Sequence, residues 1–493
     1  DLDVARGSYE YPPNDAPQRD RLYRNDGDGQ FTKAAAALPE VADCGGPVCA
    51  ADFDRDGDLD LFVGGRLIPR AFPLAAKSRL LVNVSSADGG VRFVDQTAEI
   101  AQPLEDVGLV TGACWSDADG DGWIDLLVTT EWGPVHFFKN EKGSLQSRTK
   151  RAGLSELLGW WNGIAARDLD NDGDIDYAVS NFGWNTKYHP SAEKPVLLYY
   201  GAFGEGDKRF LIEAKQAHDE LLPVRGRSCS STAMPHLKQK FPSYREFASA
   251  SLGEIYQQDC LQSADRWGVN ELASGILRND GQARFTFEPL PRIAQISPGF
   301  GIVATELTGD PFPDVYLVQN FFSPQIETGR YDGGLSQLLV GSSDGTLRPV
   351  PPDVSGLTIP GDAKALTVCD LNQDNQPDLL VSINNWRPRA FSQQATGTTI
   401  PLRLRGLPGN TAGVGALVTL KTSDGREQSA EVTAGSGYLS QSSCTLYFGL
   451  AETAQPVSFR VRWPDGTTSE HRAGDVGGGG ETVVINHPAR KSP

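Results

Sequence analysis

A nine-residue acidic pattern recurs along this 493-residue sequence, and its residue types are those that hold a hard cation. Three full copies begin at Asp52, Asp117 and Asp168, with Asp at positions 1, 3, 5 and 9 and Gly at position 6. Carboxylate oxygens at these positions, together with the carbonyl group at position 7, can surround one Ca²⁺ ion at about 2.3–2.6 Å. Glycine permits the sharp turn because a positive φ costs it little. The pattern therefore predicts calcium-binding loops.

The predicted ligands occupy every odd-numbered position, since position 7 offers its carbonyl oxygen whatever its side chain. In the three full copies they are Asp52, Asp54, Asp56, Asp58 and Asp60; Asp117, Asp119, Asp121, Trp123 and Asp125; and Asp168, Asp170, Asp172, Asp174 and Asp176. A weaker copy, with Asn375 at the turn, adds Asp370, Asn372, Asp374, Gln376 and Asp378. About three to five calcium ions are expected, because Mg²⁺ prefers octahedral sites rich in water.

Two further stretches occur at the spacing of the repeats but have fewer oxygen ligands. In the stretch 306–314, Pro311 replaces the glycine, and the sequence leaves open whether a metal binds there. The stretch 201–206 is interpreted as a copy that has lost its ligands. The alternative for the whole set is solvated turns rich in Asp and Gly, but such turns do not explain the fixed phase and the apolar segments on both sides.

Short strands must position these loops. An apolar segment precedes each copy and another follows it, at 59–63, 124–128, 175–179, 315–318 and 379–381. Apolar pairs around Gly, Asn or Asp turns then predict hairpins, at 22–31, 276–285 and 338–345. One unit is therefore a strand, an acidic loop, a second strand and a hairpin, which together make a four-stranded blade.

The first four residues, Asp1 to Val4, match residues 58–61 and thus correspond to the end of another acidic loop. The sequence is therefore expected to begin within a repeat, with the true N-terminus and any signal peptide further upstream. This interpretation makes the lack of a visible signal peptide uninformative.

Repeated blades that each bury a face against a neighbour close naturally into a ring, which protects the sheet edges. The predicted fold class is all-β, with an integrin-like β-propeller of about seven blades over residues 1–398. A short helical insertion is expected at about 217–272, where 241–252 has the pattern of a capped amphipathic helix. The acidic loops stop before residue 399, and alternating strands over 399–493 predict a β-sandwich-like domain.

The charge balance excludes two classes of partner. With 63 acidic and 45 basic residues, the formal net charge is −18. Such a surface offers no cationic footprint to nucleic acid or to an anionic membrane. No run of about 18 apolar residues occurs, so no membrane span is predicted.

The C-terminal strands carry motifs of a known domain. Residues 413–418, 437–441, 446–450 and 462–466 resemble the ASPIC/UnbV domain, and the acidic repeats resemble FG-GAP/VCBS repeats. Together they are similar to the cartilage acidic protein family and its bacterial relatives, as are residues 160–163 and 181–188. The resemblance implies a secreted calcium-binding propeller, with an extracellular matrix role in animal members and no known reaction. Cys444 departs from the usual motif.

The predicted function is a secreted, calcium-stabilised scaffold for binding or adhesion, extracellular or periplasmic, with no catalytic activity. Its partner would be an unknown extracellular protein or glycan. No nucleophile elbow, phosphate loop or zinc-protease motif occurs, and the carboxylates suited to acid–base chemistry are assigned to metal. Two alternatives remain, a structural subunit of a larger surface or periplasmic assembly and a propeller-based polysaccharide lyase or hydrolase.

Overall fold

The computed structural model describes residues 2–3, 19–25, 27–86, 90–204, 206, 208–217, 220–324, 328–394, 397–476 and 481–490. Strands dominate these residues and the helices are short, so the predicted all-β fold class is confirmed. No helix in this part of the chain is long and apolar enough to cross a membrane.

The strands fall into four consecutive groups along the chain. The first group is β1 Leu2–Asp3, β2 Arg21–Asn25, β3 Phe31–Lys33, β4 Cys44–Ala51, β5 Asp60–Leu67, β6 Arg79–Asn83, β7 Phe93–Asp95, β8 Leu109–Ser116, β9 Asp125–Pro134, β10 His136–Asn140, β11 Leu145–Ser147, β12 Leu158–Trp160, β13 Ile164–Arg167 and β14 Asp176–Val179. The second is β15 Val196–Ala202, β16 Arg209–Ala217, β17 Glu220–Pro223 and β18 Asp265–Val269. The third is β19 Gly275–Asn279, β20 Phe285–Pro289, β21 Gly299–Thr305, β22 Asp314–Gln319, β23 Gln337–Val340, β24 Arg348–Val350, β25 Ala363–Cys369, β26 Asp378–Ile383 and β27 Arg389–Phe391. The fourth is β28 Thr398–Arg405, β29 Leu417–Thr422, β30 Glu427–Glu431, β31 Leu446–Leu450, β32 Pro456–Arg462, β33 Thr468–Arg472 and β34 Val483–Asn486.

The described helices are all of seven residues or fewer. They are α1 Thr97–Ile100, α2 Arg227–Ala233, α3 His236–Lys240, α4 Tyr244–Ala248, α5 Leu252–Tyr256, α6 Gln258–Ser263, α7 Pro352–Ser355 and α8 Ala473–Val476, with 3-10 turns at Gln102–Leu104 and Arg292–Gln295.

Sheets of the first and third groups follow the blade plan, with antiparallel neighbours in chain order. They are β1–β3, β4–β7, β8–β11, β13–β14–β19–β20, β21–β24 and β25–β27, and β12 adds a strand to the third of them. The innermost strands β4, β8, β13, β21 and β25 lie side by side in that order. Large side chains fill the space between successive sheets; Phe53, Trp115 and Phe138, for example, pack together between the second and third. The predicted number of seven blades stays a prediction.

Each acidic loop connects the two innermost strands of a sheet. The first three loops join β4 to β5, β8 to β9 and β13 to β14, and the later two join β21 to β22 and β25 to β26. The three predicted hairpins are β2–β3, β19–β20 and β23–β24. At the start of the chain β1 pairs with β2, as a strand after an acidic loop would, while residues 1 and 4 of that match lie outside the described residues.

The insertion is larger than the sequence predicts. It separates β14 from β19 of one sheet and contains its own sheet, in the order β17–β16–β15–β18, besides helices α2–α6. The stretch 201–206, interpreted as a lost acidic loop, instead ends β15 and begins its turn toward β16, with residue 205 outside the described residues. The predicted helix over 241–252 is two helices, α4 and α5, because Ser243 and Ser251 each form a separate capping box.

The C-terminal strands form two sheets around one apolar core. Their orders are β31–β28–β34 and β30–β29–β32–β33, and β34 pairs with β28 in parallel. Leu402, Phe448, Phe459 and Trp463 are buried between the sheets. This arrangement is the β-sandwich that the alternating strands predict.

The C-terminal domain lies over the acidic loops. Its Arg462 forms an ion pair with Asp117 of the second loop, and its Glu431 accepts hydrogen bonds from Ser116 Oγ and the Asp117 amide. Further contacts reach the other loops. They join Gly409 to Asp58, Tyr447 to Arg167, Gly449 to Asp310, and Thr482 to Asn375. Every acidic loop therefore touches this domain or adjoins a residue that does.

The segment 434–443 of this domain contacts the innermost strands of three sheets. The Ala50 amide of β4 donates to the carbonyl oxygen of Ala434, Gly437 exchanges two hydrogen bonds with Ile164 of β13, and the Ser443 amide donates to Val368 of β25. These bonds tie three innermost strands from three different sheets to one stretch of the C-terminal domain.

A glycine in this segment provides a test of the contact. Gly435 has a φ of +88°, and a Cβ there would collide with the carbonyl oxygen of Val48. Gly435→Ala should lower the free energy of unfolding by about 3 kcal/mol, because a left-handed backbone and a backbone clash both oppose the methyl group. Gly425→Ala is the matched control, since Gly425 has a φ of +86° with nothing within 4 Å of its Cβ position. Denaturant unfolding should give the control a loss of only about 1 kcal/mol; equal losses would contradict the contact.

Candidate metal centres

Three acidic loops each bring three carboxylates together. In each loop one oxygen from every carboxylate lies within 4.8 Å of the others. The groups are Asp52, Asp54 and Asp60; Asp117, Asp119 and Asp125; and Asp168, Asp170 and Asp172. These three loops are the three full copies of the sequence pattern, and each contributes the predicted ligands at positions 1 and 3.

The carboxylate at position 1 has an oxygen without a protein partner in all three loops. Asp52, Asp117 and Asp168 are at most 8% exposed, and the Oδ1 atom of each is buried with no hydrogen-bond donor. Asp60 Oδ2, at position 9 of the first loop, is in the same state. A buried, unpaired carboxylate oxygen is costly unless a cation or a donor compensates for it. The repetition of one such atom in three loops points to a shared ligand.

The backbone of each loop is held open by its own side chains. The position 3 carboxylate accepts from the amide of position 5, and the position 5 carboxylate accepts from the amide of position 7, as in the pair Asp172 Oδ1 and Asp174 N at 2.9 Å. Position 6 has a positive φ in all three, 99° at Gly57, 91° at Gly122 and 103° at Gly173. Position 4 is also left-handed, at Arg55, Gly120 and Asn171, which the sequence analysis did not predict.

Burial makes these carboxylates poor anions in the absence of a cation. Desolvation raises the pKa of Asp60 to about 8, that of Asp168 to about 7 and that of Asp52 to about 6. Neighbouring carboxylates of the same loop add to the increase in pKa, because like charges disfavour ionisation. A bound cation would remove both effects. The oxygen-only donor set, partly buried and rich in carboxylates, fits Ca²⁺.

The other predicted ligands of the full copies lie in the loops but outside these groups of three. Asp176 is buried and accepts from the amides of Leu169 and Asn279. Asp56 and Asp121 are exposed, and each accepts an amide hydrogen bond from position 7. The position 7 residues are Asp58, Asp174 and Trp123, and the Trp123 ring lies 4.0 Å from the Arg55 guanidinium.

The weaker copy at 370–378 keeps the backbone of a metal loop without such a cluster among the described residues. Asn375 has a φ of 67°, so it takes the left-handed turn that Gly takes elsewhere. Asp378 is fully buried and accepts from the amides of Leu371 and Gln393. The side-chain amide of Asn372 donates to Asp374 Oδ2, and the backbone amide of Gln376 donates to Asp374 Oδ1. Metal binding by these five predicted ligands stays a prediction.

The stretch 306–314 is held together by hydrogen bonds from its own backbone amides to Glu306. Glu306 is 1% exposed, and its Oε1 atom accepts from the backbone amides of Thr308, Gly309 and Asp310. The extra methylene of Glu places Oε1 against these three amides, while Oε2 is buried without a hydrogen-bond partner. Pro311 cannot adopt the positive φ of position 6. This loop is therefore built differently from the other four.

Comparison with protein families agrees with this division. A family model for FG-GAP-like repeats matches residues 1–63 and 117–179, which include all three carboxylate clusters. A second, for ASPIC and UnbV, matches residues 406–491. The chain carries FG-GAP repeats and a C-terminal ASPIC/UnbV domain. A comparison with curated proteins finds no match.

Solved structures resemble this chain only distantly. The Vibrio cholerae biofilm matrix protein Bap1 aligns at 10% identity and a TM-score of 0.26, over 94% of this chain and 62% of that one. The exotype rhamnogalacturonan lyase YesX aligns at 12% identity and a TM-score of 0.30, over 94% and 75% of the two chains. The present chain thus spans less than two thirds of the matrix protein. Likeness at these TM-scores supports no statement about function.

Two asparagines at hairpin turns, neither of which was predicted to be functional, connect the acidic loops to each other. The Asn140 amide donates to Asp125 Oδ1 at position 9, and its side chain donates both to Ile124 of its own loop and to Phe53 of the preceding loop. Asn279 repeats the arrangement with Asp176, Ile175 and Ala118. The recurrence of Asn at the start of several hairpin turns, at 25, 83, 140 and 279, was the available signal. Asn140 thereby connects the first full loop to the second, and Asn279 connects the second to the third.

The first FG-GAP loop offers a test in which one substitution should lower the melting temperature in calcium but not in chelator. Asp60→Asn should lower the melting temperature in calcium, because an anionic ligand is lost. The loss is about 1.4 kcal/mol at ten times the Kd of one site. In chelator the variant should melt no earlier than the native protein, since the native carboxyl, with a pKa of about 8, is mostly protonated at pH 7. Asp28→Asn, at an exposed turn, should change neither melt. A variant that is equally destabilised in both conditions would contradict the metal site.

The connection between loops gives a second test. Asn140→Leu should lower the free energy of unfolding by about 2–3 kcal/mol, because the buried carbonyl oxygens of Phe53 and Ile124 lose their donor. Asn83→Leu is the control, since the Asn83 side chain donates only within its own loop, to Leu59. Urea unfolding should show the smaller loss for Asn83→Leu. The reverse order would show that the contact between loops adds no stability.

Proposed function

We propose that this protein is an extracellular, calcium-stabilised propeller that binds other molecules and performs no chemistry of its own. The observation that supports it most directly is the buried, unpaired Oδ1 atom at position 1 of three FG-GAP loops. A metal at these atoms would connect the two innermost strands of a blade. Its effect would be to stabilise the fold.

The expected stabilisation is large relative to the stability of a domain. One site at ten times its Kd contributes about 1.4 kcal/mol, so three sites contribute about 4 kcal/mol. Folded domains are typically stable by about 5–15 kcal/mol. Calcium would therefore decide whether the propeller stays folded under mild stress, and the ASPIC/UnbV domain that rests on the loops would share this dependence.

The proposed location follows from calcium supply and from the repeats. Calcium sites of extracellular modules bind with a Kd of about 10⁻⁴–10⁻³ M. Such sites fill only where calcium is abundant, and FG-GAP repeats are typical of extracellular proteins. A propeller whose blades need calcium would therefore have its metal sites filled outside the cell.

The proposed role in binding is supported by how the reactive groups are used. The buried carboxylates are held within loops by backbone amides, and the ASPIC/UnbV domain covers the loop side. In the turn between β26 and β27, Trp386 is 70% exposed and lies in a surface depression with Arg387 and Arg389. Tryptophan and arginine are enriched where proteins bind partners. This patch is the surface we expect a partner to contact.

An array of extracellular matrix proteins and glycans tests the proposal. The full chain should bind at least one component in about 1 mM calcium and lose that binding in chelator. Trp386→Ala should weaken binding at least tenfold, while Trp184→Ala, at a second exposed tryptophan, should not. Binding that is unaffected by chelator would contradict the calcium requirement. Release of shortened glycan from any spot would overturn the non-catalytic role, and purification in a fixed stoichiometric complex would instead indicate an assembly subunit.

A further inference from the structure

The three carboxylate clusters differ in the protein cations beside them. Among the described residues, no basic side chain forms an ion pair with Asp52, Asp54, Asp56, Asp58 or Asp60 of the first loop; the ion pairs at loop carboxylates belong to the second and third loops. The first cluster also holds two unpaired buried oxygens, on Asp52 and Asp60. The first loop is thus the one with uncompensated negative charge.

In the second loop a lysine contacts the predicted metal ligands. Lys139, on β10, places its Nζ against Asp119 Oδ2 and 2.7 Å from Asp121 Oδ2. Asp119 belongs to the carboxylate cluster, and Asp121 is the predicted ligand at position 5. The ammonium group therefore holds two oxygens that a metal would need. Its side chain is 24% exposed, so the pair is partly shielded from solvent.

In the third loop an arginine has the same role. Arg278, on β19, lies 2.6 Å from Asp176 Oδ2 and 3.5 Å from Asp170 Oδ2 through Nη1. Its other donors contact Glu288 and the carbonyl oxygen of Gly345, and only 14% of the side chain is exposed. Asp170 is a member of the third cluster, and Asp176 is the predicted ligand at position 9.

Both cations occupy one structural position. Lys139 and Arg278 immediately precede the asparagines whose backbone amides donate to the position 9 carboxylate. In the sheet β4–β7, which carries the first full loop, the corresponding asparagine is Asn83. Its backbone amide donates to Asp60 Oδ1 at 2.7 Å, and the residue before it is Val82. Val82 is 6% exposed and packs in the core. One position thus carries lysine, arginine or valine, and only valine leaves the loop without a cation.

We propose that Lys139 and Arg278 are internal competitors for calcium at the second and third loops, so that the first loop binds calcium more tightly. The inference rests on the proposed calcium function. Calcium must displace a side-chain cation from two carboxylates in the second and third loops, but meets free oxygens in the first. When calcium leaves, the side-chain cations neutralise part of the loop charge, so these two loops keep their shape at lower calcium. The chain would then fill its sites in sequence as calcium rises.

Calorimetric titration of the full chain with calcium alone tests this order. The native protein should show one tighter site and weaker ones, and Lys139→Met should tighten one weaker site roughly tenfold, the size expected when charged hydrogen bonds no longer have to be broken. Lys142→Met, at an exposed position of the same hairpin, removes the same charge and should change every affinity less than about twofold.

Arg278→Met and its control Arg284→Met repeat the test in the third loop. Arg284 is 61% exposed and pairs with Asp280, outside the predicted ligands. A melt in chelator adds a readout that does not depend on binding. Lys139→Met should melt earlier than Lys142→Met there, since the second loop has lost its internal cation.

The outcomes separate the two proposals. Calcium binding with affinities that Lys139→Met and Arg278→Met leave unchanged would overturn the competition and leave the calcium function intact. Absence of calcium binding by the native protein and by both variants would overturn the calcium function and the competition with it. Tighter binding in the variants but not in their controls is the expected result.

Discussion

The structure depends on carboxylates that are buried within a few ångströms of one another. Each full FG-GAP loop places its position 1 and position 9 carboxylates in the interior, where like charges repel and water cannot compensate. Backbone amides satisfy some of the oxygens, but two in the first loop and one in each of the other two are left without a donor. The side-chain cations beside these carboxylates differ from loop to loop, with Lys139 at the second loop and Arg278 at the third.

The loop at 306–314 connects the innermost strands with a different set of hydrogen bonds. Glu306 reaches three consecutive amides with one oxygen, and Asp314 accepts from the Leu307 and Gly341 amides. Strands β21 and β22 nevertheless pair like those of the other blades. A longer side chain and a proline thus preserve the connection between the innermost strands through amide hydrogen bonds. In all five copies the acidic loop connects the two innermost strands of a sheet, whichever side chains hold it.

Local patterns in the sequence were enough to predict the loops, their flanking strands and the two-sheet C-terminal domain. Asp at alternate positions with Gly at position 6 specifies a loop through contacts no more than eight residues apart. Contacts between distant residues were not accessible in this way. The bond from Asn140 to Phe53 spans 87 residues, and the Glu431 carboxylate lies 315 residues from Ser116. The sheet within the insertion was missed for a related reason, since β15 pairs with β18 across five helices that separate them in the sequence.

Segment 434–443 has a mechanical consequence. It is hydrogen-bonded to β4, β13 and β25, which belong to three separate blades. Tension applied through the C-terminal domain is therefore divided among three strands, and no single blade edge carries it alone. Bonds loaded side by side must break together, whereas bonds at one edge can open one after another. A chain attached through its C-terminal domain would consequently resist pulling better than one attached through an outer strand.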